Sequence, residues 1–201
     1  MNEEEIKESL RAAWLPKRAI HKNGPCAAGH WTNDVTLDPE FRNALKGNYV
    51  QTQTVARYFR GHNWMVYPHH EGKTYNLIYT VVRALVLSGV GAKVVHLLDL
   101  EDPPEQRGGI DFMEGLKSCE FLAVLGFYEE GEAKPEKTRW VGHLLQSLDC
   151  RKMLHFTSQS MDEQDWWGVD LMNSFGELMM FNGYPSYLED EPQQETFDEE
   201  A

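Results

Sequence analysis

Apolar residues in the middle of the chain follow two alternating patterns, one typical of buried strands and one of amphipathic helices. Short, continuously apolar runs predict four strands: NWMVY (63–67), AKVVHLLDL (92–100), CEFLAVLGF (119–127) and RKMLHFTSQS (151–160). Helical spacing predicts helices over TYNLIYTVVRALVLSG (74–89), GIDFMEGLKS (109–118) and PEKTRWVGHLLQSLD (135–149), and a helical pair over MDEQDWWGVDLMNSFGELMM (161–180). Gly89 closes the first of these helices and Pro135 opens the third.

Strands that alternate with helices predict an α/β fold, with a parallel sheet and crossover helices. Three parts are expected. Residues 1–37 form an N-terminal extension, with a short amphipathic helix and a loop rich in Gly and Pro. Residues 38–185 form the body, and residues 186–201 form an acidic disordered tail.

Charge is placed unevenly along the 201 residues, which carry a net charge of −13. All 19 Lys and Arg lie within residues 1–152, whereas residues 153–201 hold 12 of the 32 acids and no Lys or Arg. An acidic block repels nucleic acid, so strong direct binding to DNA is not expected. No apolar run approaches the roughly 20 residues of a membrane span, and the acidic N-terminus does not resemble a signal peptide.

Cysteine and histidine usage indicates a reduced, metal-free protein. The three cysteines stand at unrelated spacings, which favours the cytoplasm over a disulfide framework. His21, Cys26 and His30 offer only three ligands where a structural zinc site needs four. No metal site is therefore predicted.

The stretch YPHHEGKT (67–74) ends like a phosphate-binding loop, G-x-x-x-x-G-K-[ST]. Gly72 lets the backbone approach a phosphate, Lys73 supplies charge, and the Thr74 hydroxyl can ligate Mg²⁺. Tyr67 stands where the opening glycine belongs, and Glu71 adds negative charge. Half of the loop is therefore kept, and the alternative is that EGKT merely begins a helix.

Residues 57–180 resemble AAA+ P-loop ATPases of the DnaC/DnaI/IstB helicase-loader type. The resemblance rests on the Gly-Lys-Thr turn, the strand VVHLLDLEDPP, the Walker B-like phrase SCEFLAVLGFYEE, the segment HFTSQS and a final W-x-x-D-L-M-x-S. It implies an AAA+/RecA-like three-layer fold. It also implies sensor-like roles for Thr157, Ser158 and Gln159, and a phage or mobile-element source.

The departures from that family bear on catalysis. The Walker B acids that hold Mg²⁺ and position water align with Leu125 and Gly126, which can do neither. No arginine follows Arg151, so the C-terminal segment supplies no arginine finger. The resemblance thus implies a pseudo-ATPase and not an enzyme, with no cofactor or with ATP or ADP bound without turnover.

Two function classes remain open. The first is a non-catalytic protein that acts through protein contact in DNA replication or a related nucleic-acid process, with a replicative helicase or another ATPase subunit as partner. The second is an active helicase-loader ATPase, or a regulatory subunit of another P-loop assembly. The sequence does not fix the oligomeric state.

Candidate partner-binding residues lie at both ends of the chain. Ile6, Leu10 and Trp14 form an apolar helical stripe near the N-terminus, where the family contacts its helicase. The alternative is that this helix packs on its own domain. Trp166 and Trp167 are adjacent, so one of them is expected to be exposed as an anchor.

Overall fold

Helices and strands alternate along the described part of the chain in the computed structural model. The structure describes residues 2–20, 49–66, 73–107, 109–127, 135–156 and 178–181. The helices are α1 (Glu3–Ala12), α2 (Lys17–Ile20), α3 (Tyr49–Phe59), α4 (Lys73–Leu87), α5 (Leu97–Glu101), α6 (Phe112–Lys117) and α7 (Pro135–Ser147). The strands are β1 (Asn63–Val66), β2 (Ala92–His96), β3 (Gln106–Arg107), β4 (Ile110–Asp111), β5 (Phe121–Phe127), β6 (Arg151–Phe156) and β7 (Leu178–Phe181). None of these helices combines the length and the apolar character that a membrane span needs.

Five strands form one sheet in the order β2–β5–β6–β1–β7, and every neighbouring pair is parallel. Trp64 of β1 lies opposite Met153 of β6, and Phe121 of β5 lies opposite Arg151. β3 and β4 form a separate antiparallel pair. The prediction of an α/β fold with a parallel sheet is confirmed.

Helices cover both faces of this sheet, as right-handed crossovers require. From β1 the chain crosses to β2 at the far side of the sheet, and it then returns towards β1 through β5 and β6. The connecting helices therefore lie on opposite faces. A first apolar cluster joins α4 to β5 positions such as Ala123, and a second joins α7 to the alternate positions such as Leu122.

The predicted helix after the Gly-Lys-Thr turn is confirmed as α4. Its apolar stripe faces the sheet, with Leu77, Ile78, Val81, Val82 and Leu85 all at most 2% exposed. Gly89 follows the helix with a φ of 83°, a left-handed conformation that glycine adopts without strain.

The second strand ends earlier than the apolar run AKVVHLLDL predicts. β2 stops at His96, and α5 begins at Leu97. The N–H of Leu98 donates to Nδ1 of His96, and the N–H of His96 donates to the Asp99 carboxylate. This reciprocal pair is a capping box, which starts a helix. The strand assignment over 97–100 is wrong because this cap turns the chain.

Other boundaries also differ from the predicted ones. The end of the predicted helical pair is wrong, since Leu178–Phe181 forms β7 and pairs with β1. The rest of that pair lies outside the described residues. The predicted helix over 109–118 begins only at Phe112, where the Asp111 side chain accepts a hydrogen bond from the N–H of Glu114 at 2.8 Å. The helix α3 has no counterpart among the predicted elements.

The segment that contains α1 and α2 wraps the β2 edge of the sheet. α1 buries Leu10 in the first cluster. The N–H of Val94 on β2 then donates to the Ala13 carbonyl at 3.1 Å, and the Lys93 ammonium donates to the Ala12 carbonyl at 2.9 Å. Among the described strands β2 is the outermost on its side, so the Val94 bond covers a backbone N–H that an edge strand otherwise exposes.

Trp14 reaches around this edge into the second cluster. Its φ of 60° is uncommon for a bulky residue. The ring lies in the second cluster, whereas α1 packs on the first cluster. The ring stacks on Phe112 at 5.2 Å between centroids, and its Nε1–H donates to the Arg107 carbonyl at 3.2 Å. The Lys93 ammonium lies 4.5 Å from the ring centroid.

These contacts correct the interpretation of the N-terminal stripe as a partner-binding surface. Leu10 and Trp14 are 0% and 5% exposed, and Ile6 packs partly buried on the first cluster. Their apolar area is used within the domain, which is the alternative that the sequence left open. Residues 2–20 are therefore part of the body, whereas 21–37 and 186–201 lie outside the described residues.

Candidate functional site

The carboxyl ends of β1, β5 and β6 meet at one edge of the sheet. At this edge the connections that follow β1 and β5 leave toward opposite faces of the sheet. The connection after β1 leads to α4 on one face, whereas α7, which precedes β6, covers the other face. Ligands of open α/β sheets bind in the crevice outside such a switch point. β1 and β5 are two strand spacings apart, about 10 Å. This carboxyl edge is the candidate site.

The predicted phosphate-binding residues lie where the chain enters α4. Lys73 and Thr74 form the first turn of that helix. Gly72 lies outside the described residues, as do the sensor-like Thr157, Ser158 and Gln159, which directly follow β6. A helix N-terminus favours anions through its N–H groups and its dipole. Nucleotide binding by this turn stays a prediction.

β5 reaches the same edge with Leu125 and Gly126, the two positions that the sequence predicts to replace the Walker B acids. Leu125 is 4% exposed and packs in the first cluster. Gly126 has a φ of 81°. A β-carbon added to Gly126 would lie 2.6 Å from Cε1 of His96 and 2.7 Å from its Nε2. A side chain at this position is therefore opposed both by the backbone conformation and by the imidazole ring.

His96 is held in place by the loop that it begins. Its Nδ1 accepts the hydrogen bond that caps α5. The Asp99 carboxylate accepts hydrogen bonds from the His96 N–H and from the Arg107 guanidinium. The Asp99 carboxylate is thus engaged within its own loop, and its charge is paired with Arg107.

His155 and Tyr75 add aromatic groups to this edge. The N–H of Gly126 donates to Nδ1 of His155 at 3.4 Å, and the Tyr75 ring lies 4.9 Å from the His155 ring. Burial, with a smaller contribution from His96, lowers the pKa of His155 to about 4. Burial, followed by the neighbouring Tyr79, raises the pKa of Tyr75. Both side chains are therefore neutral near pH 7.

Among the described residues, His155 and Tyr75 thus bring neutral aromatic groups to an edge where a hydrolytic P-loop site needs carboxylates. The Tyr75 hydroxyl can donate a hydrogen bond. Within the described residues, no group of three or more His, Cys, Asp or Glu side chains is arranged to hold a metal ion. Mg²⁺ prefers several oxygen ligands in regular octahedral geometry.

Among the described residues, an exposed tryptophan lies on α7, a position that the sequence did not single out. Trp166 and Trp167 lie outside the described residues. Trp140 on α7 is 47% exposed, and its Nε1–H donates to the Leu100 carbonyl at 3.1 Å. Leu98 on the adjoining helix α5 is 59% exposed. A tryptophan that is fixed at one end and exposed along its ring resembles the anchors enriched in binding hot spots.

Sequence reasoning missed the histidines that define this edge. His96 stands three residues before Asp99, a spacing that matches a capping box and marks a helix start inside the apolar run. His155 and Tyr75 carry no local signal, because their proximity comes from the neighbouring positions of β1 and β6 in the sheet.

Comparison with known proteins leaves the family open. No family model matches the chain, and no curated protein matches it.

Proposed function

We propose that this chain is a non-catalytic P-loop-like protein that acts through contact with another protein. The observation that carries the proposal is the packing of His96 against Gly126 at the end of β5. Hydrolysis by a P-loop ATPase needs an acid there for Mg²⁺ and another for water. An imidazole ring occupies the space that such a side chain would enter.

The finer fold assignment is a P-loop domain of the AAA+/RecA-like type. The sheet order supports it, because the Gly-Lys-Thr helix follows the interior strand β1 and the sensor-like segment follows its neighbour β6. The Walker B-like strand β5 is next to β6. The carboxyl ends of β1, β5 and β6 thus meet at one edge, the edge at which open α/β sheets bind ligands.

The proposed partner is a replicative helicase or another ATPase subunit, as the resemblance to helicase loaders implies. Trp140 and Leu98 support contact through the α5–α7 side of the domain, since both are large apolar residues that stay exposed. The N-terminal stripe is already buried and does not enter this proposal.

Nucleotide titration of the full chain with and without Mg²⁺ tests the proposed lack of a metal site. Either no binding, or binding that Mg²⁺ does not strengthen, is expected, because the described end of β5 offers no carboxylate. ATP binding that Mg²⁺ tightens strongly and that Lys73→Ala abolishes would contradict the proposal.

Affinity capture with matched surface variants tests the proposed contact. Trp140→Ala should lose a partner that the unmodified chain retains. Tyr58→Ala removes another exposed aromatic ring, 38% exposed on α3, and should retain the partner. If Trp140→Ala captures the partner as well as the unmodified chain does, the contact does not use this side of the domain.

A further inference from the structure

Two cysteines lie side by side at the amino edge of the sheet, opposite the candidate site. Cys119 stands two residues before β5, and Cys150 directly precedes the neighbouring strand β6. The register places Phe121 opposite Arg151, and the N–H of Arg151 donates to the Glu120 carbonyl at 3.0 Å. The two cysteines are thus offset by one residue on adjacent strands. The two cysteines therefore begin neighbouring segments at the same edge of the sheet.

The two thiols pack on the same apolar cluster and differ in access to solvent. Cys119 is 4% exposed, and its sulfur lies 3.0 Å from the Leu116 carbonyl oxygen. Cys150 is half-buried. A solvent-borne reagent therefore meets Cys150 first, with Cys119 behind it.

Two buried lysine side chains lie near this pair, and Asp149 directly precedes Cys150. The Lys152 ammonium donates to the Cys150 carbonyl at 2.8 Å and to the Leu148 carbonyl at 2.9 Å, and its residue is 6% exposed. Lys93 is also buried and interacts electrostatically with Cys119. Such surroundings favour a thiolate.

The pKa shifts of the two thiols diverge. The side-chain interaction with Cys119 lowers the pKa of Cys150, burial opposes this effect, Lys152 adds to it and Asp149 opposes it. The same side-chain interaction, together with burial, raises the pKa of Cys119. Reactive cysteines in redox pairs show this division between an ionised, accessible thiol and a protonated, buried one.

We propose that Cys150 and Cys119 are a redox-active thiol pair, in which Cys150 reacts with a peroxide and Cys119 resolves the product. The Cys150 thiolate attacks one oxygen of hydrogen peroxide, the O–O bond breaks, and the departing hydroxide takes a proton to become water. Cys150 is then a sulfenic acid. The Cys119 sulfur attacks the Cys150 sulfur and displaces a second water, so that two thiols and one peroxide give one disulfide and two waters. The proposal does not depend on the proposed function.

Peptide mapping of the full chain after exposure to hydrogen peroxide tests the pairing. A Cys26→Ser background removes the third cysteine, and unreacted thiols are alkylated before digestion. A peptide pair linked through Cys119 and Cys150 is expected, and a thiol reductant should reverse the link. If both cysteines are recovered alkylated, or are oxidised without becoming linked, the proposal is wrong.

Two variants in the same background assign the roles. Cys119→Ala should leave Cys150 as a sulfenic acid that a dimedone probe labels, whereas Cys150→Ala should leave Cys119 almost unlabelled. The rate of Cys150 oxidation by peroxide should also be compared between the folded chain and the chain unfolded in urea. Divided by the exposed fraction of the thiol, this rate should be about tenfold or more higher in the folded chain. Equal labelling of the two variants, or equal rates in the folded and unfolded chains, would overturn the assignment.

Discussion

The contact between Gly115 and Trp14 predicts that one substitution will change stability in opposite directions in two backgrounds. Gly115 lies within α6, and a β-carbon added there would lie 2.6 Å from Cζ2 and 2.9 Å from Cη2 of Trp14. The Trp14 ring is held by its stack on Phe112 and by its bond to the Arg107 carbonyl. It therefore cannot move aside cheaply, and glycine is required at 115 for a packing reason.

The magnitudes follow from two opposing effects. Alanine in place of glycine favours a helix by roughly 1 kcal/mol, whereas overpacking of a fixed core costs about 1–3 kcal/mol. In the unmodified chain, Gly115→Ala should lower the free energy of unfolding by up to about 2 kcal/mol. In a Trp14→Ala background the obstruction is gone, so the same change should raise it by roughly 1 kcal/mol.

Urea unfolding followed by circular dichroism measures all four chains of this double-mutant cycle. Gly61→Ala is the control, because a β-carbon there meets nothing within 4 Å, and its effect should be the same in both backgrounds. If Gly115→Ala changes the free energy of unfolding in the same direction in both backgrounds, Trp14 does not pack against α6 as described.

Three further predictions follow from the same structure. Deletion of residues 1–20 should lower the free energy of unfolding by several kcal/mol in urea titration, because it removes Trp14 from the core and uncovers β2; an unchanged midpoint would contradict this. Trp14→Gly should be more stable than Trp14→Ala by roughly 1 kcal/mol, since a φ of 60° suits glycine. The buried His155 has a folded pKa of about 4 against an ordinary 6.5, so the stability it contributes is full above pH 6.5 and is lost as pH falls towards 4. The expected loss in free energy of unfolding is about 3 kcal/mol. Urea denaturation at several pH values between 6.5 and 4 should show a smaller loss for His155→Asn. The control His62→Asn, at an exposed position, should lose as much as the unmodified chain.

The sequence predicts the layers of this fold well, because burial imposes a period that can be read directly. The stripe of α4 and the continuous apolar run of β5 are both found where the pattern places them. The sequence fails where a local hydrogen bond overrides the apolar pattern. His96 is the clearest case, since its cap ends β2 inside an apolar run.

The candidate site is less predictable, because it depends on contacts between distant segments. The family resemblance locates Leu125 and Gly126, but it does not place the His96 ring against Gly126. The N-terminal stripe shows the converse problem. An apolar helical face predicts that Leu10 is buried, yet the pattern is the same whether the face packs on its own domain or on a partner.

Phosphate release from Mg²⁺-ATP, measured for the full chain and for Lys73→Ala in parallel, shows whether the carboxyl edge of the sheet hydrolyses nucleotide. The packing of His96 against Gly126 predicts that the unmodified chain releases phosphate no faster than the variant or than buffer. Steady turnover that disappears in Lys73→Ala would contradict the account, because it would require a metal-binding acid at this edge that the Walker B alignment does not contain.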